Sequence, residues 1–301
     1  MPKISTKAPA NKPAKPYPFK CFACRAVTMG LALSVSTAFG QSPTITDAVR
    51  DPGGWYVHQV TSPYQQGETE IRVLVPEKST EDERFPVVYV LPVEARNEHR
   101  YGDGLAEIKR HDLHNIHRAI FVAPTFSHLP WYADHPTEPA IRQESHFIQV
   151  VVPYVEKHYP VVGEPKGRLL LGFSKSGWGA WSLLLRYPDF FGRAAAWDAP
   201  LMLDKPGKYG SGEVFGSVEN FANYRISTAL RAKAGSLRGS KRLVLLGYGG
   251  FRQEHRSIHA LLEKLELPHV YRDGPERKHD WHSGWVPEAV ELLIAVDQGS
   301  R

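Results

Sequence analysis

The stretch "LLLGFSKSGWGAW", Leu169 to Trp181, decides how this chain folds. Its first half, Leu169 to Phe173, is an apolar run of strand length. Its second half sets Gly177, Gly179 and Ala180 among tryptophans, which suits a slim helix packed close to its neighbours. Between them stands Ser174, two residues after Gly172. A serine at the tip of a sharp strand-to-helix turn is held in a strained conformation, and the residues two before and two after it must be small. Gly172 meets that demand. Ser176 stands where the Gly-x-Ser-x-Gly pattern has its second glycine, a departure expected to add strain without forbidding the turn. A serine that merely caps a helix would explain neither the strand nor the small residues, so Ser174 is read as a nucleophile.

Working outward, "WYVHQVTS" and "TEIRVLVPE" read as an opening antiparallel pair of strands. "PVVYVLP", "RAIFVAP", "GRLLLGFS", "GRAAAWDAP", "KRLVLLGYG" and "PHVYRDG" read as buried strands, since continuous apolar runs suit strands covered on both faces. Helices are expected over 141–157, 175–186, 218–234, 255–264 and 286–295. This alternation predicts one α/β domain over 41–301, a mostly parallel, doubly wound sheet with helices on both faces. Active groups then belong in the loops at the carboxyl ends of the strands. Residues 204–217, rich in glycine, are expected to form a surface excursion beside the site.

A serine hydroxyl needs a base to take its proton. In this architecture the base is a histidine on the last loop, where "DGPERKHDWHSGW" offers His279 and His282. His279 is preferred because it follows the last strand by the shorter loop and has polar neighbours.

Gly172-Phe173-Ser174 with Gly177, the following "LLLRYPDFFGRAAAW", and His279-Asp280-Trp281 with Trp285 together resemble the putative-esterase (feruloyl esterase-like) branch of the α/β hydrolases. The resemblance runs from about Trp55 to Ala295. It implies the α/β-hydrolase fold, with Ser174 as nucleophile and His279 as general base. It places the triad acid just after "KRLVLLGYGG", where this chain has Gly247, Tyr248, Gly249 and Gly250. Two residues can replace the missing acid: Glu254 a few positions later, and Asp198 in "AAAWDAP" at the end of the preceding strand. Asp198 is favoured, because an unpaired carboxylate in an apolar run is costly and a histidine partner would account for it. The oxyanion needs two fixed N–H donors. One is expected from the backbone of Lys175, the other from Val93 or Glu94, because Pro92 has no N–H. A Glu94 side chain turned inward would repel the oxyanion.

Trp131 and Tyr132, in "SHLPWYADH", are candidate substrate-binding residues, with Trp178, Trp281 and Trp285 as further pocket walls. The Lys175 side chain is expected to face solvent. His111, His114 and His117, and separately His255 and His259, have spacings that could gather a metal. Neither set includes the glutamate of the usual zinc helix, so no metal and no cofactor are expected.

Six of the 37 Lys and Arg, and none of the 32 Asp and Glu, lie in the first forty residues. There a basic region precedes an apolar run and "STAFGQS", the order of a secretory signal peptide cleaved before Gln41. Cleavage would leave 31 basic against 32 acidic residues, so the basic pI is no nucleic-acid signature. Cys21 and Cys24 would leave with the leader. The expectation is a periplasmic or secreted serine esterase acting on a small-molecule or carbohydrate ester, with no stable membrane insertion after cleavage. A non-catalytic binding relative and an acyltransferase using the same triad are the alternatives.

Overall fold

Each apolar run read from the sequence becomes a strand of one sheet. The computed structural model describes residues 42–77 and 79–295; the expected leader, its cleavage point, Cys21 and Cys24 lie outside them. The strands are β1 (Thr44–Ile45), β2 (Val49–Arg50), β3 (Tyr56–Thr61), β4 (Glu68–Leu74), β5 (Val87–Val90), β6 (Ile120–Pro124), β7 (Arg168–Phe173), β8 (Arg193–Trp197), β9 (Leu243–Tyr248) and β10 (His269–Glu276). Their spatial order is β1-β3-β4-β6-β5-β7-β8-β9-β10, with β2 also on β3. β3 and β4 pair antiparallel and β4 meets β6 antiparallel. From β6 through β10 every pairing is parallel. The mostly parallel sheet with an antiparallel opening pair is therefore present.

Side-chain alternation divides the core between the two faces of the sheet. On β5, Val87 and Tyr89 join a cluster with Trp131, Trp178 and Leu184. Val88 and Val90 point the other way, into a cluster with Phe173, Trp281, Trp285 and Val290. Both faces are covered, which is why these strands are apolar throughout rather than alternating.

The helices depart from the sequence expectation where proline and caps intervene. The helix expected over 141–157 is Gln143–His146 and Val152–His158 joined by a π turn at Phe147–Val151. Pro153 lacks the N–H that an α ladder needs there, and the wider turn absorbs the defect. The segment 218–234 divides into Val218–Ala222 and Ile226–Leu237. Three short helices were not expected: Gly104–Arg110, Leu113–Ile116 and Ser211–Phe215, the last inside the excursion at 204–217. The first of them is capped by Asp103, whose carboxylate accepts from Leu105 N at 2.8 Å. Single-turn and two-turn helices are too short to show a 3.6-residue period in the sequence.

Register brings the functional loops together. Val90 lies opposite Leu171, and Leu91 N donates to the Leu171 carbonyl at 2.9 Å. The loop after β5, which holds Val93 and Glu94, thus lies beside the turn after β7, which holds Ser174. β8 and β9 follow on the other side of β7, so residues 198 and 249–251 end next to that turn as well.

Candidate active site

Ser174 has φ +52°, in the left-handed region that a non-glycine residue enters at a cost of about 1–3 kcal/mol. It is the first residue of the helix Ser174–Arg186 and directly follows β7. Crowding explains Gly172: a Cβ there would stand 2.3 Å from the Ser176 carbonyl oxygen. Gly179 faces the Tyr132 ring, which an added Cβ would meet at 2.1 Å. Ser176 has a role here that its small size alone does not convey. Its side chain is wholly buried, and its hydroxyl accepts from Phe173 N at 3.1 Å while donating to the Phe173 carbonyl at 2.9 Å. Both polar groups of the residue before Ser174 are thereby satisfied in a dry turn, something a glycine could not do.

His279 Nδ1 donates to Asp198 Oδ2 at 2.5 Å. Asp198 is completely buried. It also accepts from Gly250 N at 2.9 Å and from Phe251 N at 2.7 Å. Burial pushes its carboxyl up, but the His279 hydrogen bond and the amides of Gly249, Gly250 and Phe251 outweigh burial and hold it below the ordinary value. A carboxylate so fixed requires the proton on Nδ1 of His279, which leaves the Nε2 lone pair free to accept another. Gly249 is small for a reason: a Cβ there would stand 2.8 Å from Asp198 Oδ2. The glycines found after β9 in place of an acid thus make room for the acid from β8 and donate amides to it.

Glu254 is not part of this arrangement. Its carboxylate accepts from Met202 N at 2.6 Å and ties the helix Arg252–Lys264 to the loop after Asp198. His255, its neighbour, is buried and accepts from Ala199 N at 2.8 Å. Burial lowers its pKa to about 4, so it stands neutral beneath Asp198.

The imidazole of His279 sits among aromatic rings: Phe173 at 5.0 Å, Tyr101 at 5.7 Å, Phe251 at 5.8 Å and Trp197 at 6.3 Å between centroids. Phe173 precedes Ser174, so this packing sets the histidine beside the turn. Among the described residues the one hydrogen bond of His279 is to Asp198, and none joins it to Ser174.

Lys175 N lies in the first turn of its helix, where backbone N–H groups lack intrahelical partners. Across from it, the amides of Val93 and Glu94 follow Pro92, whose carbonyl accepts from the Tyr132 hydroxyl at 2.7 Å. The Glu94 side chain is buried: one oxygen accepts from Tyr101 N at 3.0 Å, and the other, without a hydrogen bond, pairs with Arg100 Nε at 3.4 Å. Lys175 is buried rather than solvent-facing, a correction to the expectation. Burial lowers its pKa, with Glu94 acting in the opposite direction.

Trp131 and Tyr132 are also corrected. Both are fully buried, as are Trp178, Trp281 and Trp285 within about two per cent, so they support the loops and offer a substrate no surface. The rings at the site are Tyr101, Phe251 and, against Phe251 at 5.5 Å, the half-exposed Tyr209. None carried a sequence signal, because each lies in a loop without periodicity. Neither histidine set converges on a common point. His111 turns to Glu107 at 3.1 Å, His255 to Ala199 and His259 to His269. His282, the second loop histidine, bonds Glu107 at 3.0 Å.

Residues 62–206 match the family model described as "Putative esterase". No curated protein matches the chain in sequence. Solved structures share its fold. An S-formylglutathione hydrolase from Staphylococcus aureus is 14% identical with TM-score 0.62, over 85% of this chain and 100% of that one. A ferulic acid esterase is 18% identical with TM-score 0.58, over 84% and 96%. A ferulic acid esterase from the anaerobic fungus Anaeromyces mucronatus is 16% identical with TM-score 0.51, over 85% and 91%. The α/β-hydrolase fold expected from the resemblance is thus the fold of the chain.

Proposed function

We propose that the chain, whose residues 62–206 match the putative-esterase family model, is a member of that family and of the α/β-hydrolase superfamily, and that it is a serine esterase working through Ser174, His279 and Asp198. The observation that carries the reading is the buried Asp198 carboxylate bonded to His279 Nδ1 at 2.5 Å, beside a serine held at φ +52°.

The chemistry follows from that geometry. Ser174 Oγ attacks the ester carbonyl carbon while its proton passes to His279 Nε2, and Asp198 stabilises the imidazolium that results. The carbonyl oxygen becomes an oxyanion facing the N–H of Lys175 and that of Val93 or Glu94. As the intermediate collapses, His279 returns the proton to the departing alcohol and an acyl-serine remains. Water then attacks the acyl carbon as its proton passes to His279, and collapse of the second intermediate releases the acid while His279 returns that proton to Ser174 Oγ. No metal or cofactor enters any step.

Three departures from the family pattern that would suit a non-catalytic relative instead serve the site. Ser176 braces the turn, Glu94 is engaged by Tyr101 and Arg100, and an acid stands at 198 although none follows β9. The rings of Tyr101, Phe251 and Tyr209 near His279 favour an ester with an aromatic or sugar group. The leader over 1–40 favours export to the periplasm or medium, and the described residues include no helix long and apolar enough to cross a membrane.

Labelling with a fluorophosphonate, followed by mass spectrometry, tests the nucleophile. An adduct on Ser174 that vanishes in Ser174→Ala supports the reading; folded protein that takes no label refutes it. Methyl ferulate, phenyl acetate and an acetylated xylan, assayed side by side with and without added methanol, then separate substrate class and hydrolysis from acyl transfer.

A further inference from the structure

Away from the esterase site, the helix Arg252–Lys264 and the first residue of β10 bring together His259, Glu263 and His269. One ligand atom from each lies within 4.8 Å of the others. We propose that these three residues form a zinc site that joins this helix to the edge strand β10.

His259 and Glu263 are four apart and so share a helix face. His269 Nδ1 donates to the Leu267 carbonyl at 2.7 Å, which fixes its tautomer and leaves the Nε2 lone pair for a ligand. A backbone carbonyl on the far nitrogen is the usual support of a metal-binding imidazole. That lone pair faces His259 Nδ1 at 2.8 Å and Glu263 Oε1 at 3.7 Å. Without an ion, His259 Nδ1 must carry the proton shared between the rings. With one, that proton resides on Nε2 and Nδ1 becomes a donor; the two nitrogens then part by roughly 0.5 Å, given Zn–N distances of about 2.0–2.1 Å.

Two imidazoles and a carboxylate suit zinc over magnesium or calcium, which prefer all-oxygen sites. Water completes the coordination. A further carboxylate whose charge acts on His259, Asp273, is taken by Arg252 at 2.9 Å and Arg256 at 3.0 Å, so the set stops at three. The ring of Tyr271 stacks on His259 at 4.0 Å and fixes its plane. The ion's effect is structural. The helix begins where Phe251 N holds Asp198, and β10 leads to His279, so a cross-link between them steadies both approaches to the site.

The test uses the full chain, tag-free and stripped with EDTA, carrying Cys21→Ser and Cys24→Ser so that no thiol competes. Titration with ZnCl₂ followed by calorimetry is expected to show one ion bound with micromolar or tighter Kd, and a melting temperature raised by several degrees. His259→Gln and Glu263→Gln should each weaken binding at least about tenfold while leaving ester hydrolysis at 25 °C unchanged. Cobalt(II) in place of zinc should give a visible spectrum of nitrogen and oxygen ligation. Absence of binding below about 100 μM, or unchanged affinity in folded His259→Gln, overturns the assignment.

Discussion

Replacing Asp198 with Asn alters one atom and probes the whole site. The carboxylate accepts from three groups at once: His279 Nδ1 at 2.5 Å, Gly250 N at 2.9 Å and Phe251 N at 2.7 Å. All three are donors, and an amide has only one acceptor oxygen. If the oxygen serves the His279 side, the NH₂ is driven against Phe251 N. If the NH₂ turns to His279, the imidazole must offer a lone pair at Nδ1 and carry its proton on Nε2, where it cannot take one from Ser174. Either arrangement costs a buried donor its partner, about 1–3 kcal/mol. The second also removes the base, and in the serine–histidine–aspartate template that substitution lowers kcat about 10⁴-fold, or roughly 5 kcal/mol of transition-state stabilisation. We therefore expect Asp198→Asn to fold with a modestly lower melting temperature and to lose three to four orders of magnitude in kcat on phenyl acetate, with little change in KM. Glu254→Gln, whose amide oxygen can still accept from Met202 N, should retain activity within a few-fold. Folded Asp198→Asn with a tenth or more of the parental kcat, or a larger loss in Glu254→Gln, would refute the assignment.

Ser176→Ala strips both hydrogen bonds from Phe173 inside a dry turn and should cost about 1–3 kcal/mol in urea unfolding, with lower kcat as Ser174 loses its brace; unchanged stability would show that the hydroxyl is dispensable. Tyr132→Phe frees the Pro92 carbonyl, so kcat/KM should fall severalfold while stability drops by about 1 kcal/mol, and equal activity would separate that bond from the loop bearing Val93. Stability should also depend on pH through His146 and His255, both buried and lowered to about 4. A histidine depressed in the fold takes its proton first in the unfolded chain, so its contribution is complete above about pH 6.5 and lost as pH falls from there to about 4. At about 3 kcal/mol each, the two should make unfolding in urea markedly easier at pH 4.5 than at pH 7.5. A flat profile in that window would contradict their burial as neutral rings.

Much of this was present in the linear sequence, because strand formation here depends on local composition. Continuous apolar runs such as "VVYV" and "RLLLGF" are long enough to be strands and too apolar to leave a face in water, so the number of main strands and their coverage on both sides follow directly. Ser174 was legible for the same reason: glycines and alanines around a serine between strand and helix record a steric demand, and sterics at that turn are local. The short helix Gly104–Arg110 and the break at 223–225 were not legible, since neither is long enough to set a period.

What only the tertiary structure decided are pairings across distance. Asp198 and His279 are 81 residues apart; the apolar run around Asp198 favours it over Glu254 but does not say which histidine it meets. That choice rests on β8 lying between β7 and β9, which sets the end of one strand under the amides that follow the next. The same holds for Trp131 and Tyr132, whose aromatic character suggests a binding wall while burial, of Trp131 against Trp178 and of Tyr132 against Gly179 and the Pro92 carbonyl, makes them supports. It holds too for His259, which the sequence groups with His255 on one helix and the fold instead turns toward His269. Composition determines which segments are buried; which buried polar groups meet is a property of strand order and register, and these are written only in the packing of the whole sheet.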